Sequence, residues 1–548
     1  MLKTLHMFLS RELAKVTLLA LVSFTLVMTI FAIVEPLRKQ GLATGQVLAL
    51  FVYTLPVMVS LTLPIAALFA ATIVYGRVSQ DNELTACRAS GISTIALLRP
   101  AMLLGLLVTV VSLWLSNFVA PRLAKAGEVA VKANVRGVIA HQLRTNGYFK
   151  HAAIIVHADE VYPVDDSLVL RGAVLVDCKD PEDVRLGMAE QATLSFHTFE
   201  NRAYASATAK NPVGTSTAQY TIGRQHVLPV DAVELPNPIR EDPAWYSWDR
   251  LIRVLRHPAE NADIHRSLIE LRRDLGYEML AREVAMVIGS GQPYTRLASA
   301  RNRCEITAPQ AAQEGKIVEL SSGLDPNGRR VPVRVRLTGE RAVRTIEADS
   351  AKIEGGWSPR IHAPVASIEL RGNVEIRVDE LGGSATKPAD EPIQTNREVV
   401  KVGDLKMPEH LLSAVEKVDP NAIVADVDAF SNSDAIRQRV RDLKEFDIAK
   451  LQGKVLAEMH GRVAYGASCF LLVAMGAAMG VLFRGGQIIS AFALSVIPAA
   501  IVVVLLLMGK EMVANPGVAK PLGLAAIWGG IVALLIGNVL LYARLARR

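Results

Sequence analysis

The sequence predicts an α-helical membrane protein with six transmembrane helices, three before and three after a large β-rich insert that carries a helical spacer. Three observations predict this. The 548 residues are 51% hydrophobic yet 21% charged, with a mean hydropathy of +0.28. That is too apolar for an ordinary soluble enzyme and too charged for a bundle lying wholly in lipid. The apolar residues collect at the two ends, in 16–34, 47–75 and 101–120 and again in 463–483, 488–509 and 522–542. Each run reaches the roughly 20 residues needed to cross about 30 Å of hydrocarbon. Between the two blocks, residues 121–462 alternate and repeat as soluble strands and helices do.

The first apolar run is longer than a signal peptide's, and no small-residue cleavage pattern precedes Glu35-Pro36, so it is expected to be a retained span. Basic residues orient the bundle. Lys3, Arg11 and Lys15 precede the first span, and Arg77, Arg88 and Arg99 lie between the second and third. Arg484 lies between the fourth and fifth, and Arg544, Arg547 and Arg548 follow the sixth. All fall on one side if both termini are cytoplasmic, which puts the insert outside the membrane. Arg38 and Lys39, just beyond the far end of the first span, run against this bias.

The segment Gly76–Pro100, GRVSQDNELTACRASGISTIALLRP, is short and polar between two long apolar runs. A bilayer excludes such a stretch, so it must protrude, on the cytoplasmic side, as a small amphipathic helix over 77–91. Asp81 and Glu83 are placed in its first turn, where the helix dipole favours acids, and Gly91 closes it. A cytoplasmic helix between two spans suits docking on a cytoplasmic partner.

The insert divides by pattern. Residues 121–246 form a β module, with alternation in 151–162 and 167–176 and Asp- and Pro-containing turns between. Residues 247–290 switch to helical spacing, with Leu251, Val254 and Leu255 on one short face and Ile264, Leu268, Leu271 and Leu275 on another. Residues 291–378 return to β. Two pieces echo each other: 157–176 and 347–376 both run from an Ala-Asp strand through a turn into Leu-Arg-Gly-x-Val. By composition 379–432 is a linker with a short helix. Over 433–462 an apolar stripe at Ile436, Val440, Leu443, Ile448, Leu451, Val455 and Met459 predicts a long amphipathic helix leading into span four.

Several chemistries are excluded. The formal charge of +7 is dispersed, with no basic run interleaved with aromatics, so nucleic acid is not an expected partner. There is no phosphate-binding glycine loop, C-x-x-C, H-E-x-x-H or G-x-S-x-G, so neither a catalytic centre nor a cofactor is expected. His151 and His157 share a strand face without further spaced ligands. Cys178 and Cys304 in the insert are either a disulfide or two free thiols. Spans one, three, five and six have no ionisable residue in their interiors, where ion-coupled transporters need them, so energy for transport would come from elsewhere. Gly476/Gly480, Ala66/Ala70, Ala525/Gly529 and Ala533/Gly537 are small-residue pairs that permit close helix approach, within the bundle or with another subunit.

The segment RVSQDNELTACRASGISTIALLRP, with LPVMVSLTLPIAALFA before it and SNFVAPRLA (116–124) after span three, resembles the LptF/LptG permeases of the lipopolysaccharide exporter. EMHGRVAYGASCFLLVAMGAAMGVLFRGG resembles that family's fourth span and glycine-rich turn. The resemblance covers roughly 1–235 and 400–548. The chain departs from it in Tyr465-Gly466, where a proline is usual, and in an insert longer than one jellyroll needs.

The resemblance implies a bacterial inner-membrane permease with a periplasmic β-jellyroll-type insert, and transport without chemistry. It implies four partners: a cytoplasmic ABC ATPase dimer, a second LptF/LptG-type permease, a periplasmic bridge protein and lipopolysaccharide. The ELRGNVEI strand is similar to jellyroll repeats of the bridge proteins, making 291–378 a possible extra bridge-like module. Asp81, Glu83, Leu84 and Arg88 become the expected ATPase-coupling residues. Arg38 and Lys39 become the expected cationic rim for a phosphorylated glycolipid head. A permease of the same build for another lipid or a lipoprotein, and a non-transporting envelope scaffold, are the alternatives.

Overall fold

The computed structural model describes residues 2–40, 44–123, 135–151, 154–164, 167–178, 185–199, 202–216, 223–224, 227–234, 242–299, 302–324, 327–340, 342–358, 361, 363–380, 393–483 and 488–547. The N-terminal block is helical throughout: α1 Leu2–Gln40, α2 Thr44–Gln80, the short α3 Glu83–Ala89, and α4 Thr94–Leu123, whose turn Leu115–Val119 is π-helical. After it come α5 Val135–Asn146, α6 Trp248–Arg256, α7 Ala262–Gly289, α8 Glu409–Glu416 and α9 Pro420–Ala425. The C-terminal block holds α10 Asp434–Leu482, α11 Ile488–Ala514 and α12 Lys520–Ala546.

Six of these helices, α1, α2, α4, α10, α11 and α12, are long and apolar enough to cross a membrane. The span of α10 is 72% buried, against 28% for those of α1, α11 and α12, so α10 is the central post of the bundle. Its glycines explain the position. A Cβ at Gly476 would meet the Leu68 carbonyl at 2.8 Å, and one at Gly480 the Thr72 carbonyl at 2.7 Å, so α10 lies backbone-close to α2. Ala66 and Ala70 of α2 are fully buried as well. In α12, by contrast, Ala525 and Gly529 remain exposed. Tyr465 and Gly466 also act inside the bundle: the Tyr465 hydroxyl donates to the Leu61 carbonyl (3.0 Å), and the Gly466 carbonyl accepts from Thr109 (3.0 Å).

Toward the insert, α4, α10 and α11 meet at one polar cluster. Arg462 of α10 donates to Glu458 (2.9 Å), to Asn117 of α4 (3.0 Å) and to the carbonyl of Ala244 (3.0 Å). Lys510 of α11 donates to the other oxygen of Glu458 (2.7 Å). Charged side chains this poorly hydrated must be paired, and here they mark the edge of the apolar belt.

The expected β module is a sheet of antiparallel strands ordered β1-β2-β4-β5-β6-β9, with β3 paired to β4 and β7 to both β5 and β8. These strands are β1 Tyr148–His151, β2 Ile154–His157, β3 Glu160–Val164, β4 Ser167–Asp177, β5 Arg185–Phe199, β6 Arg202–Lys210, β7 Val213–Ser216, β8 Gly223–Arg224 and β9 Val227–Glu234. Ile139 and Leu143 of α5 pack on Val161, Leu168 and Leu170, beside a lining of small residues, Ala158, Ala173, Ala192 and Ala207.

The second sheet comprises β10 Tyr294–Ala298, β11 Arg303–Thr307, β12 Gln310–Glu314, β13 Ile317–Ser321, β16 Val333–Thr338, β17 Ala342–Ala348, β18 Ser350–Ser358, β19 Ala363–Glu380 and β20 Ile393–Lys406. A small separate hairpin joins β14 Gly323–Leu324 to β15 Arg330–Val331. Strands β19, β17, β16, β11, β10 and β20 close on themselves into a six-stranded ring, since β20 pairs with both β10 and β19. Leu297, Ile306, Val335, Ile346, Ile368, Leu370 and Leu405 are all essentially buried in one core with Leu280 and Val284 of α7.

The linker read from composition over 379–432 is corrected here. Residues 381–392 lie outside the described residues, but 393–406 form β20 and seal the ring. The alternation of Val400, Val402 and Leu405, with Leu405 fully buried, outweighs the polar composition around it.

The echo between the two modules is geometric. Asp159 N donates to the Arg171 carbonyl and Asp349 N to the Gly372 carbonyl, each at 3.0 Å. Gly172 (φ +59°) and Gly372 (φ +74°) both lie in the left-handed region, and each faces its own Asp carboxylate so closely that a Cβ there would collide with it. Only glycine suits such a corner. Cys178 is exposed, Cys304 is buried, and both are free thiols. Burial pushes the Cys304 thiol up to about 12, so it is unreactive at neutral pH.

Candidate coupling site

The segment between α2 and α4 is built by three local devices. Asn82 takes a left-handed conformation (φ 59°) and its carbonyl accepts from Thr85 N and Ala86 N, which starts α3. Asparagine tolerates that conformation better than most residues. Gly91 (φ +79°) ends the turn after α3, with its N–H bonded to the Arg88 carbonyl (2.9 Å). The Ser93 hydroxyl then accepts from Ala96 N (3.3 Å) and caps α4.

Leu84 pins α3 to the bundle. It is 1% exposed and shares a core with Leu9 and Leu13 of α1, Tyr75 of α2, Leu97 and Leu98 of α4, and Leu545 of α12. Polar bonds brace the same floor. Tyr75 donates to the Leu97 carbonyl (2.9 Å), the His6 ring nitrogen lies 3.0 Å from the Ala96 carbonyl, and Ser79 donates to the Val481 carbonyl of α10 (3.2 Å). Leu84 thus joins α3 to a core shared by five of the six apolar helices, α1, α2, α4, α10 and α12.

The structure separates the four expected coupling residues. Glu83 opens α3, is exposed, and makes no hydrogen bond or ion pair among the described residues. Asp81 is not in the first turn of α3. It follows the end of α2 and lies 3.7 Å from Arg77, an i,i+4 pair, because Asn82 breaks the helix between them. Leu84 faces inward, so it positions α3 and is not itself a contact for a partner. Arg88 turns back to donate to the Thr94 hydroxyl (2.9 Å), tying the end of α3 to the start of α4. Arg38 and Lys39 fall in the last turn of α1, and their side chains lie outside the described residues.

No cluster of His, Cys, Asp and Glu suited to a metal occurs among the described residues. Sequence reading missed the Arg462 cluster. Its one legible trace was the Glu458/Arg462 i,i+4 spacing; Asn117, Ala244 and Lys510 are too distant in sequence to have been joined to it.

Comparison with known families matches residues 7–222 and 361–544 to the family described as lipopolysaccharide export system permease LptF/LptG. The two matched stretches are more than half of the chain. They take in α3, all six apolar helices and nearly all of the first β module, and leave out α6, α7 and most of the closed ring. No curated protein matches the chain.

Proposed function

We propose, because the chain belongs to the LptF/LptG family of lipopolysaccharide export permeases, that it is one half of an ATP-driven exporter. It takes lipopolysaccharide from the outer leaflet of the inner membrane and passes it to a periplasmic jellyroll bridge. The observation that carries this reading is the family match running through both helical blocks and the first β module. The buried seat of Leu84 supports it, since it makes α3 a lever on the spans. A cytoplasmic ATPase dimer seated on α3 supplies the energy, and a second permease of the same type completes the lipid cavity. The first β module is the better candidate for receiving acyl chains, because it lies within the family match, whereas most of the closed ring does not, and its core mixes alanines with Leu, Ile and Val. Purification in mild detergent, followed by identification of associated proteins and lipids, tests the reading. Recovery of an ATPase with a different lipid would reassign the cargo, and recovery of no ATPase would overturn the exporter.

The three-plus-three topology makes a separate expected result. In a background with Cys87 and Cys178 replaced by serine, Glu340→Cys should react with an impermeant maleimide in intact spheroplasts. Ser90→Cys should react only after lysis. Both positions are exposed, so labelling reports sidedness rather than burial. The opposite pattern would invert the molecule.

The cationic rim gives another. Long basic side chains at a span's end also reach phospholipid headgroups, so Arg38 and Lys39 have an alternative role as simple anchors. If they grip the phosphates of the glycolipid, Arg38→Glu with Lys39→Glu should cut export more than alanine at either position. Insertion and ATPase association should persist. A photocrosslinker at position 38 that captures only bulk phospholipid, with normal export by the double reversal, would reduce them to anchors.

A further inference from the structure

The Arg462 cluster does more than end the apolar belt. Four separate segments meet on one guanidinium: α4 through Asn117, α10 through Glu458 and Arg462 itself, α11 through Lys510 by way of Glu458, and the turn 242–245 of the insert through the Ala244 carbonyl. The Arg462 side chain is 4% exposed. Lys454 of α10 holds the same turn from its other end, donating to Asp242 (3.4 Å), while the second Asp242 oxygen caps Ala244 N (2.9 Å). Asn117 reaches the cluster from the π-helical turn of α4, where it also donates to the Leu113 carbonyl (2.8 Å). Gly453 and Gly461 let α11 come close: a Cβ at 453 would strike the Val513 carbonyl, and one at 461 the Lys510 side chain.

Above this joint α10 continues as a strut. Val455, Leu451, Leu443, Val440 and Ile436 line a core with Leu251, Val254 and Leu271 of α6 and α7. At its start Arg439 donates to Glu270 (2.9 Å) and pairs with Asp274 (2.8 Å), and Asp274 also faces Lys316 of the β12–β13 turn (3.9 Å). One continuous helix therefore runs from the centre of the bundle to α7 and, through Asp274, to the β12–β13 turn of the second sheet.

A buried ion cluster is a poor way to gain stability. Its desolvation offsets its attraction, and well-packed apolar residues of similar volume often serve as well or better. What it does provide is a fixed, directional geometry among the segments it joins. We propose that Arg462 is a positioning residue, the joint through which movement of the spans is passed to the insert during transport. This rests on the permease reading above. It adds a route out of the bundle on the side opposite to α3, through a turn of the chain that the family match does not cover.

The test compares the wild-type permease–ATPase complex in nanodiscs with Arg462→Met/Glu458→Met/Lys510→Met, which leaves no unpaired buried charge, and with Asn117→Leu, which removes the acceptor that α4 offers Arg462 together with the local bond to the Leu113 carbonyl. Purified lipopolysaccharide is the probe. The triple variant should unfold at or above the wild-type temperature and keep basal ATP hydrolysis. Its lipopolysaccharide-stimulated hydrolysis should fall about ten-fold, within the range typical of coupling between distant sites. Asn117→Leu should fall less, in the same direction. A merely structural staple would lower the unfolding temperature and leave stimulation intact. Wild-type stimulation in either folded variant would overturn the joint, and if the triple variant does not fold, Asn117→Leu alone decides. A wild-type preparation with no lipopolysaccharide stimulation would instead overturn the permease reading, and the joint with it.

Discussion

Leu84→Ala should loosen α3 from the bundle and, on the exporter reading, uncouple the permease from the proposed ATPase, although the side chain is buried. Leu84 is 1% exposed among Leu9, Leu13, Tyr75, Leu97 and Leu98, so truncation leaves a cavity bounded by α1, α2 and α4. Leu→Ala at such sites costs roughly 2–5 kcal/mol. A seven-residue helix has few other tertiary contacts to set against that loss. The expected outcome is a protein that still inserts but unfolds at lower temperature and stimulates ATP hydrolysis poorly. Leu84→Met, which nearly conserves volume, should cost less than about 1.5 kcal/mol and retain coupling. Thermal unfolding in detergent and ATPase assays on the reconstituted complex measure both. Normal stability and coupling in the alanine variant would show that α3 is held by something other than this side chain.

The same residue shows what a sequence can and cannot reveal. That 76–100 carries a short helix between two apolar ones was legible, because a bilayer allows few other fates to a polar stretch between two apolar runs. Which face of that helix points inward was not, since its seven residues hold only one large apolar side chain. The expected helix over 77–91 began too early: α2 runs on to Gln80 and α3 starts only at Glu83, because Asn82 adopts a left-handed conformation that local pattern does not announce. Most of the amphipathic stripe of α10 was readable, because helical periodicity over 26 positions is a strong signal: Ile436, Val440, Leu443, Leu451 and Val455 are buried, while Ile448, at the end of a π-helical turn, and Met459 are half-buried. Strand β20 was hidden in polar composition and revealed itself only by closing a ring, pairing with its chain neighbour β19 on one side and with β10, about a hundred residues earlier, on the other. The Arg462 cluster is long-range in the same sense. Its members lie on four segments, and no local rule connects Asn117 to Lys510.

Glu83→Lys should release the ATPase while leaving the fold in place. Two effects compete for this residue, and their sizes differ enough to be separated. At the first position of α3 the carboxylate interacts with the helix dipole, typically worth about 0.3–1 kcal/mol. Its loss alone would weaken assembly by at most a few-fold, since about 1.4 kcal/mol corresponds to ten-fold in affinity. If instead the exposed Glu83 meets a cationic side chain of the ATPase, its truncation leaves that cation unpaired at the interface, at a cost of about 2–5 kcal/mol. Reversal adds repulsion. Glu83→Gln should then weaken ATPase binding by more than about ten-fold, and Glu83→Lys by still more. The unfolding temperature should barely move in either variant, because the side chain is exposed and makes no bond within the described chain. Raising ionic strength should slow association of wild type more than of the glutamine variant but shrink the affinity difference only in part, since a pair enclosed by the interface is screened less than an exposed one. Binding measured by titrating purified ATPase onto immobilised permease, at two salt concentrations, reads all of these at once. Equal affinities for wild type, Gln and Lys would leave Glu83 with its helix alone and move the coupling contact elsewhere on the cytoplasmic face.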